Sequence, residues 1–300
     1  MQSFKGQFRF ARVGALLASA TLATSVSFML AAPAQAIDLP GPLKNLFGGG
    51  EKYETKILPD IPADASYDQG LARLQKKDYE GATKKFGEIE KQHPKSEWAR
   101  RGLLMQTYTQ YTEGKYDDAV GSANRYIGLY PSSGDTPYIY YLAGMAYYNQ
   151  IPDADRDQER AEKAIAVFAA LVQKYPKSEY STDAKFKIQV AKDQLAAREM
   201  KVGRYYLAEN NYTAGINRFR EVLGKYQSTR HTEEALYRLV EGYMRLGVQH
   251  EAQTAAAVLG HNFPDSPWYK DAYSRLREGG LEPHENRDSW ISKQFRKIVG

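Results

Sequence analysis

The chain has 300 residues, 42% hydrophobic and 26% charged, a balance that supports a buried core, admits one or two domains and excludes a disordered tail protein. It has no cysteine, which excludes disulfides, thiolate metal sites, cysteine nucleophiles and cysteine-linked lipids. Its formal charge is +5, but that excess is concentrated at the N-terminus.

Residues 1–36 have the pattern of a signal peptide. Lys5, Arg9 and Arg12 make a basic start, Val13 to Leu30 an apolar run rich in small residues, and Ala34-Gln35-Ala36 a small-x-small site. Cleavage is expected after Ala36, with export across an inner membrane. The alternative is a retained anchor, which would rest on an 18-residue run diluted by Ser, Thr, Gly and Ala, a weak span. Without this segment 38 Lys and Arg face 36 Asp and Glu, and this near-neutral balance argues against a nucleic-acid partner. Residues 37–65 carry Pro40, Pro42, Gly48 to Gly50, Pro59 and Pro62 and show no sustained helical period. They read as a Pro/Gly-rich linker.

From residue 66 to residue 273 one unit recurs five times. A small-residue column runs Ala82, Ala119, Ala164, Gly215 and Ala252. Four positions on stand Phe86, Ala123, Phe168, Phe219 and Ala256, and three further Ile89, Tyr126, Leu171, Val222 and Leu259. Then come His93, Tyr130, Tyr175, Tyr226 and Phe263, followed by Pro94, Pro131, Pro176, Gln227 and Pro264. Offsets of four, seven and eleven put the first four columns on one helical face. The small residue lets a neighbouring helix approach, and the proline stops the helix because it has no N–H and clashes with the preceding turn. Each unit also has an upstream helix, whose small-residue contact is clearest at Gly70 and Gly144.

The unit resembles the tetratricopeptide repeat (TPR), whose period is about 34 residues. The expected fold is therefore all-α, an α-solenoid of about five repeats. The small column advances by 37, 45, 51 and 37 residues, so some helices or loops are longer than in the consensus. One insertion, Pro152 to Asp157, lies inside the third unit. Residues 274–300 are left as a C-terminal tail or capping helix. There Trp290, Ile291, Phe295 and Ile298 mingle with Arg287, Lys293, Arg296 and Lys297, a pattern that suits either a lipid- or partner-touching amphipathic helix or a cap on the last repeat.

No catalytic motif is present. There is no Gly-rich phosphate loop after a strand, no Gly-x-Ser-x-Gly and no His-Glu-x-x-His. Asp153, Asp155, Asp157 and Glu159 alternate as calcium ligands do, but lack the central Gly and a Glu at the twelfth position. They read as a solvated loop. The histidines at 93, 231, 250, 261 and 284 form no i,i+4 ligand pair. No cofactor and no metal are expected.

Solenoids bind along the concave surface lined by the first helix of each unit. In this chain that surface is expected to carry Tyr67 and Leu71, then Tyr108 and Tyr111, then Tyr138, Tyr141 and Tyr148. Such a stripe offers apolar area with hydrogen-bonding tips, suited to an extended or partly folded peptide. The competing reading is that these rings pack between helices.

Several strings go beyond the repeat consensus. They are Tyr175 to Ala184 (Tyr-Pro-Lys-Ser-Glu-Tyr-Ser-Thr-Asp-Ala), Glu199 to Tyr206, Ala214 to Phe219, Glu234 to Tyr243 and Asn262 to Tyr269. With them, residues 66–273 resemble the BamD (ComL) family, the helical-repeat component of the outer-membrane protein assembly (BAM) machine. The resemblance implies a non-catalytic scaffold at the periplasmic face of the outer membrane of a Gram-negative bacterium, peripheral to the bilayer. It implies docking of the C-terminal repeats on a POTRA domain of the barrel-inserting subunit BamA, around Arg204, Arg218 and the helix carrying Glu233, Glu234, Tyr237 and Glu241. Arg218 matches the Arg of the family's Asn-Arg motif, whose fork of donors suits a carboxylate. It further implies that the N-terminal repeats meet unfolded outer-membrane proteins or accessory lipoproteins of the complex. The family's lipid-bearing Cys is absent. The alternative is a periplasmic TPR adaptor coordinating cell-wall enzymes or envelope constriction.

Overall fold

A computed structural model describes residues 61–152 and 158–299. The expected signal peptide, the linker up to residue 60 and the acidic insertion at 153–157 lie outside the described residues. Those described form twelve helices and no strand. Five hairpins follow one another: α1 (Ala63–Gln75) with α2 (Tyr79–Gln92), α3 (Glu97–Glu113) with α4 (Tyr116–Leu129), α5 (Thr136–Tyr148) with α6 (Glu159–Lys174), α7 (Tyr180–Ala208) with α8 (Tyr212–Lys225), and α9 (Thr232–Arg245) with α10 (Gln249–Asn262). Two further helices close the chain, α11 (Pro267–Glu278) and α12 (Trp290–Val299).

Each helix of the hairpin series packs on the next, and each first helix also touches the next first helix: α1 on α3, α3 on α5, α5 on α7, α7 on α9 and α9 on α11. Among the described residues the second helices make no such contacts with one another. The first-helix layer is therefore the crowded, inner side of a curved stack. The fold is an all-α solenoid of TPR repeats, with successive units burying one another's faces.

The repeating columns account for the core. Ala82, Phe86 and Ile89, and their counterparts down to Ala252, Ala256 and Leu259, are buried. Opposite Phe86, Phe168 and Phe219 stand Gly70, Gly144 and Gly203, where an added Cβ would lie 2.5, 2.4 and 2.5 Å from the ring. Where the second helix carries Ala123 or Ala256 instead, the equivalent first-helix position holds Thr107 or Val240, both fully buried. Small faces large and medium faces small, so each interface is filled with a different division of volume.

The hairpin exits repeat as closely. His93, Tyr130, Tyr175, Tyr226 and Phe263 end their helices with φ of −131, −130, −131, −129 and −138°. Each still donates its N–H to the carbonyl four residues back, at 2.8 Å. Each carbonyl then accepts from the N–H of a hydroxyl residue three on: Ser96, Ser133, Ser178, Thr229 and Ser266, at 3.0–3.1 Å. Gln227 follows Tyr226 with the same geometry, so this turn forms without the proline.

The irregular spacings have two causes. The advance of 45 comes from the longer connection between α5 and α6, and the advance of 51 from α7, a single helix of 29 residues. Two ends differ from the sequence expectation. Helix α1 begins at Ala63, inside the stretch read as linker, because Pro62 sits at the N-cap and its carbonyl accepts from Ser66 N–H at 3.0 Å; a proline there starts a helix rather than blocking one. Helix α11 runs past residue 273 because Leu276 is fully buried, and it stops at Gly279-Gly280, the latter with φ +71°. Helix α12 packs on α10 and α8 and lays Ile291 and Phe295 into the C-terminal core.

Candidate functional site

Two differently lined stretches share the first-helix layer. The first is a wall of tyrosines across α3, α5 and α7. Tyr138 and Tyr141 of α5 each stack against Tyr180 of α7 with ring centroids 5.3 Å apart. The Tyr141 hydroxyl donates to Asp183 at 2.8 Å, and Tyr148 lies 6.5 Å from Phe168 with the Lys187 ammonium 5.0 Å from its ring centre. On the α3 side Tyr108 and Tyr111 are half-buried. Tyr111 packs on Tyr116 at 5.8 Å and its hydroxyl accepts from Asn149 at 3.0 Å.

The electrostatics of this wall suit binding. Burial pushes the Tyr138 phenol up to about 12, helped by the neighbouring phenols Tyr108, Tyr180 and Tyr111. Burial raises Tyr141 too, reinforced by its bond to Asp183, and burial likewise raises Tyr148. Phenols shifted upward stay protonated at neutral pH. They offer neutral donors, acceptors and ring faces, and no activated nucleophile. Tyr67 of α1 makes the equivalent contact one unit earlier, 5.2 Å from Trp98 of α3, and lies 5.6 Å from Phe86 of its own hairpin; Leu71 packs against the same Phe86 cluster.

The second stretch is a ladder of charges across α7, α9 and α11. Arg204 Nη1 donates to both carboxylate oxygens of Glu234 at 3.0 Å. Arg238 bridges Glu234 at 3.3 Å and Glu241 at 2.8 Å. Arg275 of α11 reaches Glu241 at 3.5 Å and the Tyr237 hydroxyl at 3.3 Å. Tyr237 and Trp268 stack at 5.3 Å under the Arg238 guanidinium, which lies 5.3 and 5.7 Å from their ring centres. The structure thus brings Arg204, Glu234, Tyr237 and Glu241 together; Glu233 is half-buried in the first turn of α9.

Arg218 stands apart. It projects from α8 and pairs with Glu199 of α7 at 3.1 Å, leaving the rest of its guanidinium exposed. Glu199 and Arg204 lie five residues apart on α7, about 140° around the helix, so Arg218 is on a different face from the ladder. Sequence reasoning missed Tyr180, Asp183, Arg238, Trp268 and Arg275. The i,i+4 and i,i+3 spacing of Arg238 from Glu234 and Glu241 was the available signal for one of them. Among the described residues no cluster of three or more His, Asp or Glu is placed to hold a metal ion, and no helix is long and apolar enough to cross a membrane.

Comparison with known proteins agrees with this architecture. Residues 59–259 match the sequence profile of the family YfiO, described as outer membrane lipoprotein. The chain is 44% identical over 235 residues to the outer membrane protein assembly factor BamD of Caulobacter vibrioides, covering 78% of this chain and 77% of that protein. It is 42% identical to BamD of Rickettsia prowazekii, covering 72% and 86%, and 31% identical to BamD of Neisseria meningitidis serogroup A, covering 73% and 86%. Among solved structures, the TPR2AB-domain:pHSP90 complex of yeast Sti1 is similar at 12% identity and a TM-score of 0.37, covering 73% and 85%; so distant a likeness adds nothing to the fold argument.

Proposed function

The chain belongs to the BamD (YfiO) family of outer membrane protein assembly factors, and on that premise we propose that it is a non-catalytic scaffold for inserting β-barrel proteins into the outer membrane. Membership places it in outer membrane protein assembly and in association with that membrane. The finer reading has two halves. The C-terminal repeats hold the chain on the POTRA region of a BamA-like barrel-inserting subunit at the periplasmic face, through the ladder around Arg204, Glu234, Tyr237 and Glu241 and through Arg218. The tyrosine wall of the N-terminal repeats receives an unfolded outer-membrane protein or an accessory lipoprotein of the complex.

The observation that supports this reading is the change of lining along one face. Ring faces with neutral hydroxyls occupy α3, α5 and α7, and bridged charges occupy α7, α9 and α11. A tyrosine surface tolerates many extended sequences, since rings supply area and their tips adapt. A network of charges fixes one partner and one register. Arg204 spends only Nη1 on Glu234, and Arg218 only Nη1 on Glu199. The remaining donors of each fork are available to a partner's carboxylates.

The test is affinity capture from detergent-solubilised envelopes with wild type, Arg204→Glu and Arg218→Glu. Both arginines are exposed but their partners Glu234 and Glu199 are largely covered, so each variant is first checked for a retained fold by circular dichroism and thermal melting. The barrel-inserting subunit should come down with wild type and be depleted with each variant. Equal capture by both variants would remove the assignment of these residues. Recovery of cell-wall enzymes in place of the barrel subunit would overturn the reading itself.

A further inference from the structure

The C-terminal end holds a cavity that the proposed function does not use. Beyond α11 the chain turns at Gly279-Gly280 and runs back along α10 before α12 begins. That return is stitched down. Gln253 donates its side-chain N–H to the Glu282 carbonyl at 2.9 Å, Asn286 N–H donates to Thr254 Oγ1 at 3.2 Å, and Ser289 Oγ donates to Glu251 at 2.7 Å. Between α10, this return strap and α12 lies a pocket of about 360 Å³. Because its strap is fixed by side chains of α10, the pocket is preformed.

Its lining is chemically specific. Arg287, Arg296 and His261 face it, with Glu285 as the one acid, and Phe295 supplies an apolar wall. Ser292 also lines it, is 1% exposed, and its Oγ has no hydrogen-bond partner among the described residues. A buried hydroxyl without a partner costs about 1–3 kcal/mol unless a ligand or water satisfies it. Arg296 uses part of its fork on the Arg287 and Ser292 carbonyls, whereas no ion pair engages the Arg287 guanidinium among the described residues. Two permanent cations outweigh one carboxylate, so the pocket favours an anion that accepts several hydrogen bonds.

We propose that this pocket binds a phosphate ester. Its oxygens sit between Arg287 and Arg296 and accept from Ser292 Oγ, and the carbon substituent of the ester lies against Phe295. A phosphate offers more acceptor oxygens than a carboxylate, which suits two guanidinium forks and a hydroxyl together. The same chemistry is presented by a phospholipid headgroup and by a soluble phosphate ester, and the two sources are separable by experiment.

The experiment is isothermal titration of the full chain with inorganic phosphate, glycerol 3-phosphate and a short-chain phosphatidylglycerol kept below its micelle concentration. Wild type should bind a phosphate ester saturably. Arg287→Gln with Arg296→Gln should weaken binding by about fivefold per arginine removed. Ser292→Ala, which removes only the hydroxyl and leaves the packing, should weaken it several-fold and serves as the reading if the double arginine variant fails to fold. Affinity confined to the phosphatidylglycerol identifies a lipid headgroup as the source, and equal affinity for glycerol 3-phosphate identifies a soluble ester. No saturable binding to any of the three probes overturns the proposal, as does undiminished binding in folded variants.

Discussion

A methyl group at Gly144 would sit 2.4 Å from Phe168 Cε1, so at the residue scale these two side chains are one packing decision. The same decision is made with Gly70 and Phe86 and with Gly203 and Phe219, and is reversed where Val240 and Ala256 are both fully buried. Gly144→Val alone should therefore overpack the third hairpin, at about 1–3 kcal/mol. Phe168→Ala alone should leave a cavity, at about 3–5 kcal/mol. The double variant reproduces the Val240–Ala256 arrangement, and its loss should fall at least ~1 kcal/mol short of the sum. Urea denaturation of the four proteins measures that coupling, and simple additivity would mean that the two positions do not share a volume. The tyrosine wall makes a second residue-scale prediction. Tyr138 is raised from 10.0 to about 12 when folded, so the unfolded chain loses this proton first as pH rises. The corresponding stability is fully present below pH 10 and is lost as pH climbs through 12. Phenolate absorbance should show a late-titrating group that vanishes in Tyr138→Phe, and early titration of every tyrosine would contradict the burial described for the wall.

At the scale of the element, α7 is the longest helix among the described residues. Its first half contributes Ala184 to the cluster around Phe168; its second half contributes Leu195, Ala196 and Met200 to the cluster around Phe219. One continuous backbone thus splints two cores. Gln194 is near its midpoint and exposed, so Gln194→Pro tests the splint without touching either core. Losing one helical hydrogen bond and adding the ring clash should cost about 3 kcal/mol. New protease cleavage near residue 194, with both halves still helical by circular dichroism, is the expected result; an unchanged digest would show that the helix is not continuous under load. The length of α7 also marks where the sequence was hard to read. The second-helix columns from Ala82 to Leu259 were legible because burial repeats at helical offsets. The extra turns of α7 were not, because from Tyr180 to Val202 there is no Gly or Pro to mark a boundary. Periodicity likewise reports which residues share a stripe and not which helix covers it. The rings that cover Tyr67 and Tyr138, Trp98 and Tyr180 on the next first helix, were therefore not read. The Arg204–Glu234 pair spans 30 residues and had no local signature at all.

At the scale of the whole molecule, the proposed function turns on stiffness. Tyrosines at one end and charges at the other are joined through α7 and its neighbours, so a client on the wall and a partner on the ladder are held at a fixed separation. Tethering of this kind raises the effective concentration of one for the other, and a joint that bends freely dilutes it without altering either contact. Gln194→Pro separates these effects because it lies between the two surfaces and in neither. Capture of the barrel-inserting subunit alone should match wild type, and so should binding of an unfolded barrel protein alone. Recovery of the three together should fall by about tenfold, a part of the roughly 10²–10⁴ that linkage contributes. Equal recovery of the ternary complex would mean that the solenoid gathers its partners without orienting them. Loss of one binary contact would mean that the hinge has distorted a surface, which Gln194→Ala, keeping the helix, serves to exclude.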